Sequence, residues 1–167
     1  MSYTLKIRKQ ENNFFIKLKI KLGKILAKDF PHYKVRLWGL RLCGFEVGSQ
    51  VYIGQDLIVT SFISDRSCNL IIKDRVSIGP RVTLLLASDA NWSKIMETRE
   101  VITGTLTIEE DCWIGAGAII FPRLTIGARS IIGAGSVVTR DLPPESIVAG
   151  VPARNIKKTG KINWTSH

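Results

Sequence analysis

The stretch ITGTLT-IEEDCW-IGAGAI-IFPRLT-IGARSI-IGAGSV-VTRDLP, residues 102–143, divides into seven consecutive hexads that each begin with an aliphatic residue. The leading residues are Ile102, Ile108, Ile114, Ile120, Ile126, Ile132 and Val138. A period of six matches neither the 3.6-residue helix repeat nor the two-residue strand repeat. It is typical of a hexapeptide solenoid, a parallel β-helix in which stacked coils bury the leading residues.

The same repeat extends through the earlier part of the chain. Its leading residues there are Val47, Ile53, Val59, Ile72, Ile78 and Leu84, with one extra residue near Asp65 that breaks the phase. Three hexads form one triangular coil of about 18 residues, so these hexads predict four to five coils. Gly115, Gly127 and Gly133 directly follow a leading residue, and we expect them to provide the positive φ of a tight turn.

Residues 90–101 interrupt the pattern with a polar segment that has no hexad spacing. We interpret it as a loop extruded from one corner of an all-β solenoid that spans residues 47–143. Long irregular loops in compact domains are usually functional or disordered. Trp92 and Met96 favour a packing role for this loop, and a mobile surface loop is the alternative.

Residues 1–46 form a different region, a basic amphipathic helical segment. Asn12 and Asn13 are candidate caps for a helix that begins at Phe14. A lysine stripe and an adjacent apolar stripe have helical spacing: Lys17, Lys21, Lys24 and Lys28, then Leu18, Leu22 and Ile25. Alternation over residues 16–22 would also fit a strand. A second helix is predicted over residues 34–43, and residues 144–167 form a basic C-terminal extension.

The composition is that of one globular domain with an appendage. The hydrophobic fraction is 45%, and no apolar run approaches the roughly 18 residues that a membrane span needs. The N-terminus lacks the features of a signal peptide. Cys43, Cys68 and Cys112 show no paired framework, so we expect reduced thiols and a cytoplasmic location.

The net charge of +10 is concentrated in the helical segment, where eleven Lys and Arg residues face three acidic ones. Such a surface suggests anionic partners. Nucleic acid is the weakest of these, because no nucleic-acid-binding motif accompanies the charge. The helix suggests peripheral contact with an anionic membrane at its inner face, and a solvated basic surface is the alternative.

Three segments resemble the hexapeptide-repeat O-acetyltransferases, which include the maltose and galactoside enzymes and sugar acetyltransferases of surface-polysaccharide pathways. These segments are CWIGAG at 112–117, IGAGSVVTRD at 132–141 and AGVPAR at 149–154, and the resemblance covers residues 44–158. It implies a left-handed parallel β-helix and a homotrimer that binds acetyl-CoA in clefts between subunits.

The resemblance also implies roles for individual residues. The pantetheine arm of CoA would lie along Ala116, Ala134 and Thr139, although small residues at solenoid turns are needed for stacking in any case. The CoA phosphates would meet Arg140, Arg154 and Lys157. A guanidinium binds phosphate through its planar donor fork and an ammonium as a point charge. Trp113 would lie at the acceptor end of the cleft, or pack on a neighbouring subunit, and Trp92 is a second candidate for acceptor binding.

The catalytic base departs from the family pattern. In the resembled enzymes it is a histidine, and matching the motif places it where this chain has Asp89. An ordinary aspartate, with a pKa near 3.9, is a weak base for a hydroxyl unless burial or a neighbouring carboxylate raises that pKa. Asp89 is therefore a tuned base, or another group such as His32, Glu97 or Glu100 replaces it, or catalysis is lost.

These observations and the resemblance predict a CoA-dependent O-acyltransferase that acts on a sugar or glycan hydroxyl. Acetyl-CoA is the expected co-substrate. The alternative is a non-catalytic trimeric CoA-binding or scaffold protein that has lost the catalytic histidine. A zinc carbonic-anhydrase variant of this fold needs three histidine ligands. Residues 47–158 contain no histidine, so we expect no metal.

Overall fold

The computed structural model of the chain describes residues 14–61, 68–88, 93–94, 98 and 102–158. Two helices come first, α1 (Phe14–Asp29) and α2 (Tyr33–Leu42). The strands follow in chain order: β1 (Glu46–Val47), β2 (Tyr52–Ile53), β3 (Ile58–Thr60), β4 (Leu70–Ile72), β5 (Ser77–Ile78), β6 (Thr83–Leu85), β7 (Ala87–Ser88), β8 (Ile102–Thr103), β9 (Leu106–Ile108), β10 (Trp113–Ile114), β11 (Ile119–Ile120), β12 (Thr125–Ile126), β13 (Ile131–Ile132), β14 (Val137–Val138), β15 (Ser146–Ala149) and β16 (Arg154–Lys158).

Three sheets form the sides of a triangular solenoid. Sheet A contains β1, β4, β9 and β12; sheet B contains β2, β5, β10, β13 and β15; sheet C contains β3, β6, β11 and β14. Neighbouring strands within each of these sets are parallel, and each coil contributes one strand to each sheet. The predicted solenoid of parallel strands, preceded by helices, is therefore confirmed.

The interior is built from the leading residues of the hexads. On sheet B the leading residues Ile53, Ile78, Ile114 and Ile132 form one continuous column, in register from coil to coil, and Val148 of β15 continues it. Each of them is at most 1% exposed. Truncation of such a residue to alanine typically costs about 2–5 kcal/mol of stability, because the side chain loses burial and leaves a cavity.

Ile102 is an exception to the hexad prediction. It is 45% exposed and lies in β8, which pairs antiparallel with β7 outside the three sheets. Leu84 pairs with Ile120, 36 residues later, whereas Ile120 pairs with Val138 after 18. The chain therefore leaves the solenoid for 18 residues rather than the twelve predicted. Both lengths are multiples of six, so the hexad phase could not distinguish them, and most of loop 90–101 lies outside the described residues.

The glycines that follow leading residues also differ from expectation. The positive φ angles occur two residues later, for example at Gly117 and Gly135. Gly115 is needed for a different reason, since a Cβ atom there would lie 2.5 Å from the backbone nitrogen of Ala134 in the next coil. At Gly127 an added Cβ would collide with the backbone nitrogen of Pro144. These glycines permit close stacking of the coils.

Parallel stacking continues beyond Pro143–Pro144, where the sequence predicted that it would end. In β15, Val148 pairs with Ile132 after 16 residues instead of 18. This shorter turn is stabilised by the Ser146 backbone N–H, which donates to the buried Ser130 Oγ at 3.2 Å. The chain then reverses, and β16 pairs antiparallel with β15 as the last strand of sheet B.

The two predicted helices are confirmed, and they close the first end of the solenoid. α1 packs on α2 through small residues: a Cβ on Gly23 would lie 2.7 Å from the carbonyl oxygen of Gly39, and Ala27 is buried beside it. α2 in turn contacts β1 and β2. Asn12 and Asn13, the predicted caps of α1, lie outside the described residues.

A buried arginine fastens this helical cap to the first coil. Arg36 in α2 is 3% exposed. Its Nε and Nη2 donate to the carbonyl oxygen of Ile53 at 3.0 and 2.8 Å, and its Nη1 donates to the carbonyls of Phe30 and Pro31. The planar guanidinium can satisfy three carbonyls at once, which an ammonium on a flexible chain does less well.

Candidate functional site

The corner between sheets B and C, called here the B–C corner, carries two of the three predicted pantetheine residues, Ala116 and Ala134. Its turns in the third and fourth coils read Gly-Ala-Gly, at residues 115–117 and 133–135. Ala116 and Ala134 are both exposed, and they stack because the Gly135 backbone N–H donates to the Ala116 carbonyl at 2.8 Å. The two coils therefore present a narrow lane with no side chain larger than a methyl group.

Residues after β14 continue from this lane to the end of the solenoid. Thr139 and Arg140 are exposed and lie at the corner between sheets C and A, called the C–A corner. Arg140 and Arg154 both line one shallow pocket between the last coil and β16. The floor of this pocket includes Leu142, Val148 and Ala153. The structure thus brings together two of the three cations predicted to meet the CoA phosphates.

Asp141 also lines this pocket, but its carboxylate is engaged by the backbone. Its Oδ1 accepts a hydrogen bond from the backbone N–H of Thr125 at 2.8 Å. Arg154 Nη1 donates to the carbonyl of Ala153 at 3.1 Å, which leaves most of its five donor hydrogens for other acceptors. The pocket therefore has two exposed guanidinium groups and suits an anionic ligand.

Trp113 lies on the outer face of sheet B rather than in this pocket. It is 50% exposed and pairs in register with Ser77 on one side and Ile131 on the other. Tyr52 is the next residue in the same outward row, beyond Ser77. This row gives sheet B an aromatic surface, which can pack on a sugar ring or on another subunit.

The side chains of the remaining predicted site residues lie outside the described part of the structure. Asp89 and Trp92 lie outside the described residues, as do Glu97 and Glu100. Lys157 belongs to β16 and pairs with Ile147, but its side chain is outside the described part of the structure. The roles of Asp89, Trp92 and Lys157 stay predictions.

The segment that leads to Asp89 is anchored at the C–A corner. Thr60 Oγ1 donates to the carbonyl of Ala87 at 3.0 Å, two residues before Asp89 in the sequence. The strand that returns from the loop, β8, is anchored in the same way: the carbonyl of Thr103 accepts a hydrogen bond from Arg123 Nε. Sequence analysis missed both anchors, because they join residues 20 or more positions apart and neither residue departs from the hexad pattern.

His32, a candidate replacement base, has a structural role. Its Nδ1 accepts a hydrogen bond from the backbone N–H of Lys34 at 3.3 Å and so caps α2. Its ring stacks on Tyr33, with centroids 5.2 Å apart, and Tyr33 lies against Tyr52. His32 is therefore at the first coil of the solenoid, whereas Trp113 is in the third.

The two cysteines with shifted pKa values are poor nucleophiles. Burial raises the pKa of the Cys43 thiol and of the Cys112 thiol to about 11 in each case. Both donate to backbone carbonyls, Cys112 to Gly127 and Cys43 to Ile20. At neutral pH both are thiols rather than thiolates, so acyl transfer through either cysteine is disfavoured. Among the described residues, no group of His, Cys, Asp or Glu side chains could hold a metal ion.

Comparison with known proteins confirms the resemblance. Residues 106–140 match the family model for the bacterial transferase hexapeptide (six repeats). The galactoside O-acetyltransferase of Escherichia coli K12 is 36% identical over 117 residues, which is 68% of this chain and 57% of that protein. The chain thus spans somewhat more than half the length of the curated relatives it matches.

Solved structures show the same architecture. The maltose O-acetyltransferase of Clostridium difficile 630 has a TM-score of 0.61 at 25% identity, over 90% of this chain and 91% of that one. AntD of Bacillus cereus, an N-acyltransferase, was solved with dTDP and coenzyme A as a variant in which an aspartate is replaced by asparagine. It has a TM-score of 0.58 at 26% identity, over 66% of this chain and 61% of AntD.

Proposed function

Since this chain is a hexapeptide-repeat protein similar to galactoside and maltose O-acetyltransferases, we propose that it transfers an acetyl group from acetyl-CoA to a sugar or glycan hydroxyl. Assembly of a surface polysaccharide is the process that such a reaction serves. The observation that carries the proposal is the bare lane of Ala116 and Ala134. It leads along β14 to the pocket that contains Arg140 and Arg154.

This arrangement matches the shape and charge of coenzyme A. The pantetheine arm is thin and polar along its length, and a lane without side chains admits it against the backbone of the coils. Ala116, Ala134 and Thr139 line the arm in this proposal. Arg140, Arg154 and Lys157 neutralise the phosphates, each charge-assisted hydrogen bond contributing about 1.5–3 kcal/mol.

The chemistry requires a base and a site for a tetrahedral oxyanion. Asp89 takes the proton of the acceptor hydroxyl while the oxygen of that hydroxyl attacks the thioester carbonyl. The oxyanion then collapses, the carbon–sulfur bond breaks, and the proton passes to the CoA thiolate. Desolvation in the cleft would raise the pKa of Asp89 toward neutrality and so make it a competent base. Trp113 and Trp92 hold the sugar in this scheme.

The proposed assembly is a homotrimer of left-handed β-helices. A single solenoid exposes the aromatic row of sheet B and the lane of the B–C corner on separate surfaces. A cleft between two subunits would bring one surface against the other and exclude water from the reacting atoms. The protein would work in the cytoplasm, at the inner face of the membrane if its acceptor is carried there.

Two alternatives rest on specific observations. AntD transfers an acyl group to nitrogen and was solved with dTDP, which favours the amine of a nucleotide-linked amino sugar as a second acceptor class. Such an acceptor would suit a chain that lacks the family histidine. The absence of that histidine equally favours a CoA-binding scaffold without activity, in which the lane and the pocket persist but no transfer occurs.

The decisive experiment combines CoA titration with acyl-transfer assays. In calorimetry, the double variant Arg140→Gln, Arg154→Gln should bind CoA about 10–100-fold more weakly, with a flatter salt dependence. The matched control is Lys34→Gln, Lys73→Gln, which removes two exposed charges from α2 and the second coil, neither of which belongs to the lane or the pocket. Equal CoA affinity in both double variants would refute the assignment of the pocket.

Activity is then measured on parallel panels of hydroxyl and amino sugars. Asp89→Asn should lower the transfer rate about 10²–10⁴-fold, because it keeps the shape but removes the base. Asp89→His, which restores the family residue, should retain or raise activity. Turnover confined to amino sugars would select the N-acyl alternative. Intact CoA binding without turnover by the parent or by Asp89→His would select the scaffold.

A further inference from the structure

α1 exposes a row of large apolar side chains that nothing in the described structure covers. Leu18, Leu22 and Ile25 are 50%, 47% and 51% exposed. Their spacing places them on one face of the helix, and we call them the apolar stripe. The packed face of α1, around Gly23 and Ala27, lies about 150° away around the helix axis. The close Gly23–Gly39 contact therefore holds the stripe outward.

Basic residues border the apolar stripe along its length. Lys17, Lys21 and Lys28 follow one edge by helical geometry, Lys19 lies at the other, and all four are exposed. Lys24 turns inward instead: its Nζ donates to the Ser61 carbonyl at 3.4 Å, and burial lowers its pKa. The first turn of α1 contains no acidic residue.

The charge around the stripe decides between its candidate partners. A second copy of this chain would bring one strongly basic segment against another, and like charges in an interface oppose association. An anionic bilayer offers both of the required chemistries on one flat surface. Its acyl boundary accepts apolar side chains to a depth of roughly 5–10 Å, and its headgroups attract the flanking lysines.

We propose that α1 docks the protein on an anionic lipid surface, with the apolar stripe buried among the headgroups and Lys17, Lys19, Lys21 and Lys28 above it. Neither α1 nor α2 has the length and apolar content of a helix that crosses a bilayer, so within the described residues the contact is peripheral. Because α1 covers one end of the solenoid, docking leaves the B–C corner and the end pocket exposed to the aqueous phase.

The test is co-sedimentation of the full chain with phosphatidylcholine vesicles that contain either roughly one third phosphatidylglycerol or none. The protein should bind the anionic vesicles but not the neutral ones, and added salt should weaken its binding to the anionic vesicles. Leu18→Asn, Leu22→Asn should weaken binding about 100-fold, and Lys19→Gln, Lys21→Gln about 25-fold. The matched controls are Ile58→Asn on the outer face of sheet C and Lys73→Gln, Arg81→Gln, which should bind as the parent does.

All of the substituted side chains are exposed, so thermal melts and CoA titration should show that each variant remains folded. Equal binding to the two kinds of vesicle, or unchanged binding by the stripe variant, would overturn the proposal. A smaller molar mass of the stripe variant in light scattering, without an effect on vesicles, would show that the stripe is an interface between copies. None of these readouts depends on acyl transfer, so the proposal can fail while the proposed function stands.

Discussion

Two corners of the solenoid have the same backbone and opposite surfaces. The corner between sheets A and B, called the A–B corner, has positive φ at Gln50, Arg75, Asp111, Arg129 and Glu145. The B–C corner has positive φ at Asp56, Arg81, Gly117 and Gly135. All of these residues except Glu145 lie three positions after a leading aliphatic residue, and Glu145 lies three positions after Leu142, which bridges to the leading residue Ile126. The repeat itself therefore imposes the left-handed conformation at both corners.

The side chains at the two corners differ, although the backbone conformation is the same. At the A–B corner they pair between coils: Arg75 Nε donates to Asp111 at 2.6 Å, and Arg129 Nη2 donates to Glu145 at 2.7 Å. At the B–C corner the third and fourth coils have glycine at the equivalent positions. Non-glycine residues evidently tolerate this conformation, at a cost of about 1–2 kcal/mol each. Backbone geometry alone therefore does not explain the bare lane, whereas the proposed binding of CoA along it would require one.

The largest expected effect comes from a side chain added to the lane. Gly117→Arg should weaken CoA binding about 100-fold or more, because the guanidinium would occupy the path of the pantetheine arm. An added Cβ meets nothing within 4 Å, and arginine already occupies the equivalent position at residue 81, so the fold should persist. Calorimetric titration with CoA and a thermal melt measure the two effects. Full CoA affinity in a folded Gly117→Arg protein would place the cofactor elsewhere.

The second expected effect tests the feature that the corners share. Gly115→Ala at the B–C corner and Gly127→Ala at the A–B corner should each lower the free energy of unfolding by about 1–3 kcal/mol, since the added methyl group meets the backbone of the next coil. Chemical denaturation provides the measurement, and Ala128→Gly controls for backbone flexibility at the same turn. Two fully stable variants would show that the coils are less tightly stacked than described.

A smaller effect is expected where the B–C corner already carries a side chain. Arg81→Gly should raise the free energy of unfolding by about 0.5–1 kcal/mol, because glycine removes the strain of positive φ in an exposed turn. CoA affinity should not change, since this residue belongs to the second coil. A loss of stability would mean that the Arg81 side chain contributes more than its conformation costs.

The smallest effect concerns the ion pair of the A–B corner. The hydrogen bond from Arg75 lowers the pKa of the Asp111 carboxyl below its usual range. The pair therefore stabilises the fold above the unfolded-state pKa of about 3.9, and this contribution is lost as the pH falls through the lower folded-state pKa. Thermal melts should show parent and Arg75→Gln differing near neutrality and converging in acid. For Arg81→Gln the difference from the parent should stay constant over the same range.

The fold was accessible to sequence reasoning because burial acts at every coil in the same way. An aliphatic residue is required at every sixth position, where the side chain points into the solenoid. The period can therefore be recognised without knowing which residues of the next coil it contacts. Arg140 and Arg154 were found through motif similarity, and the structure places them in one pocket. The roles of Gly115 and Gly127 were misjudged, because a close approach depends on a coil that is distant in sequence.

The sequence by itself determined the solenoid, the two helices, the buried aliphatic columns and the similarity to the hexapeptide-repeat acetyltransferases. Tertiary structure alone decided that Ile102 leaves the solenoid, that Arg36 joins the helices to the first coil, and that the apolar stripe of α1 faces outward. Arg75 and Asp111 show the physical reason: they are 36 residues apart, and only the stacking of the coils brings them within hydrogen-bond distance. A local sequence pattern shows which residues must be buried, whereas only the stacking of the coils determines which distant residues come into contact.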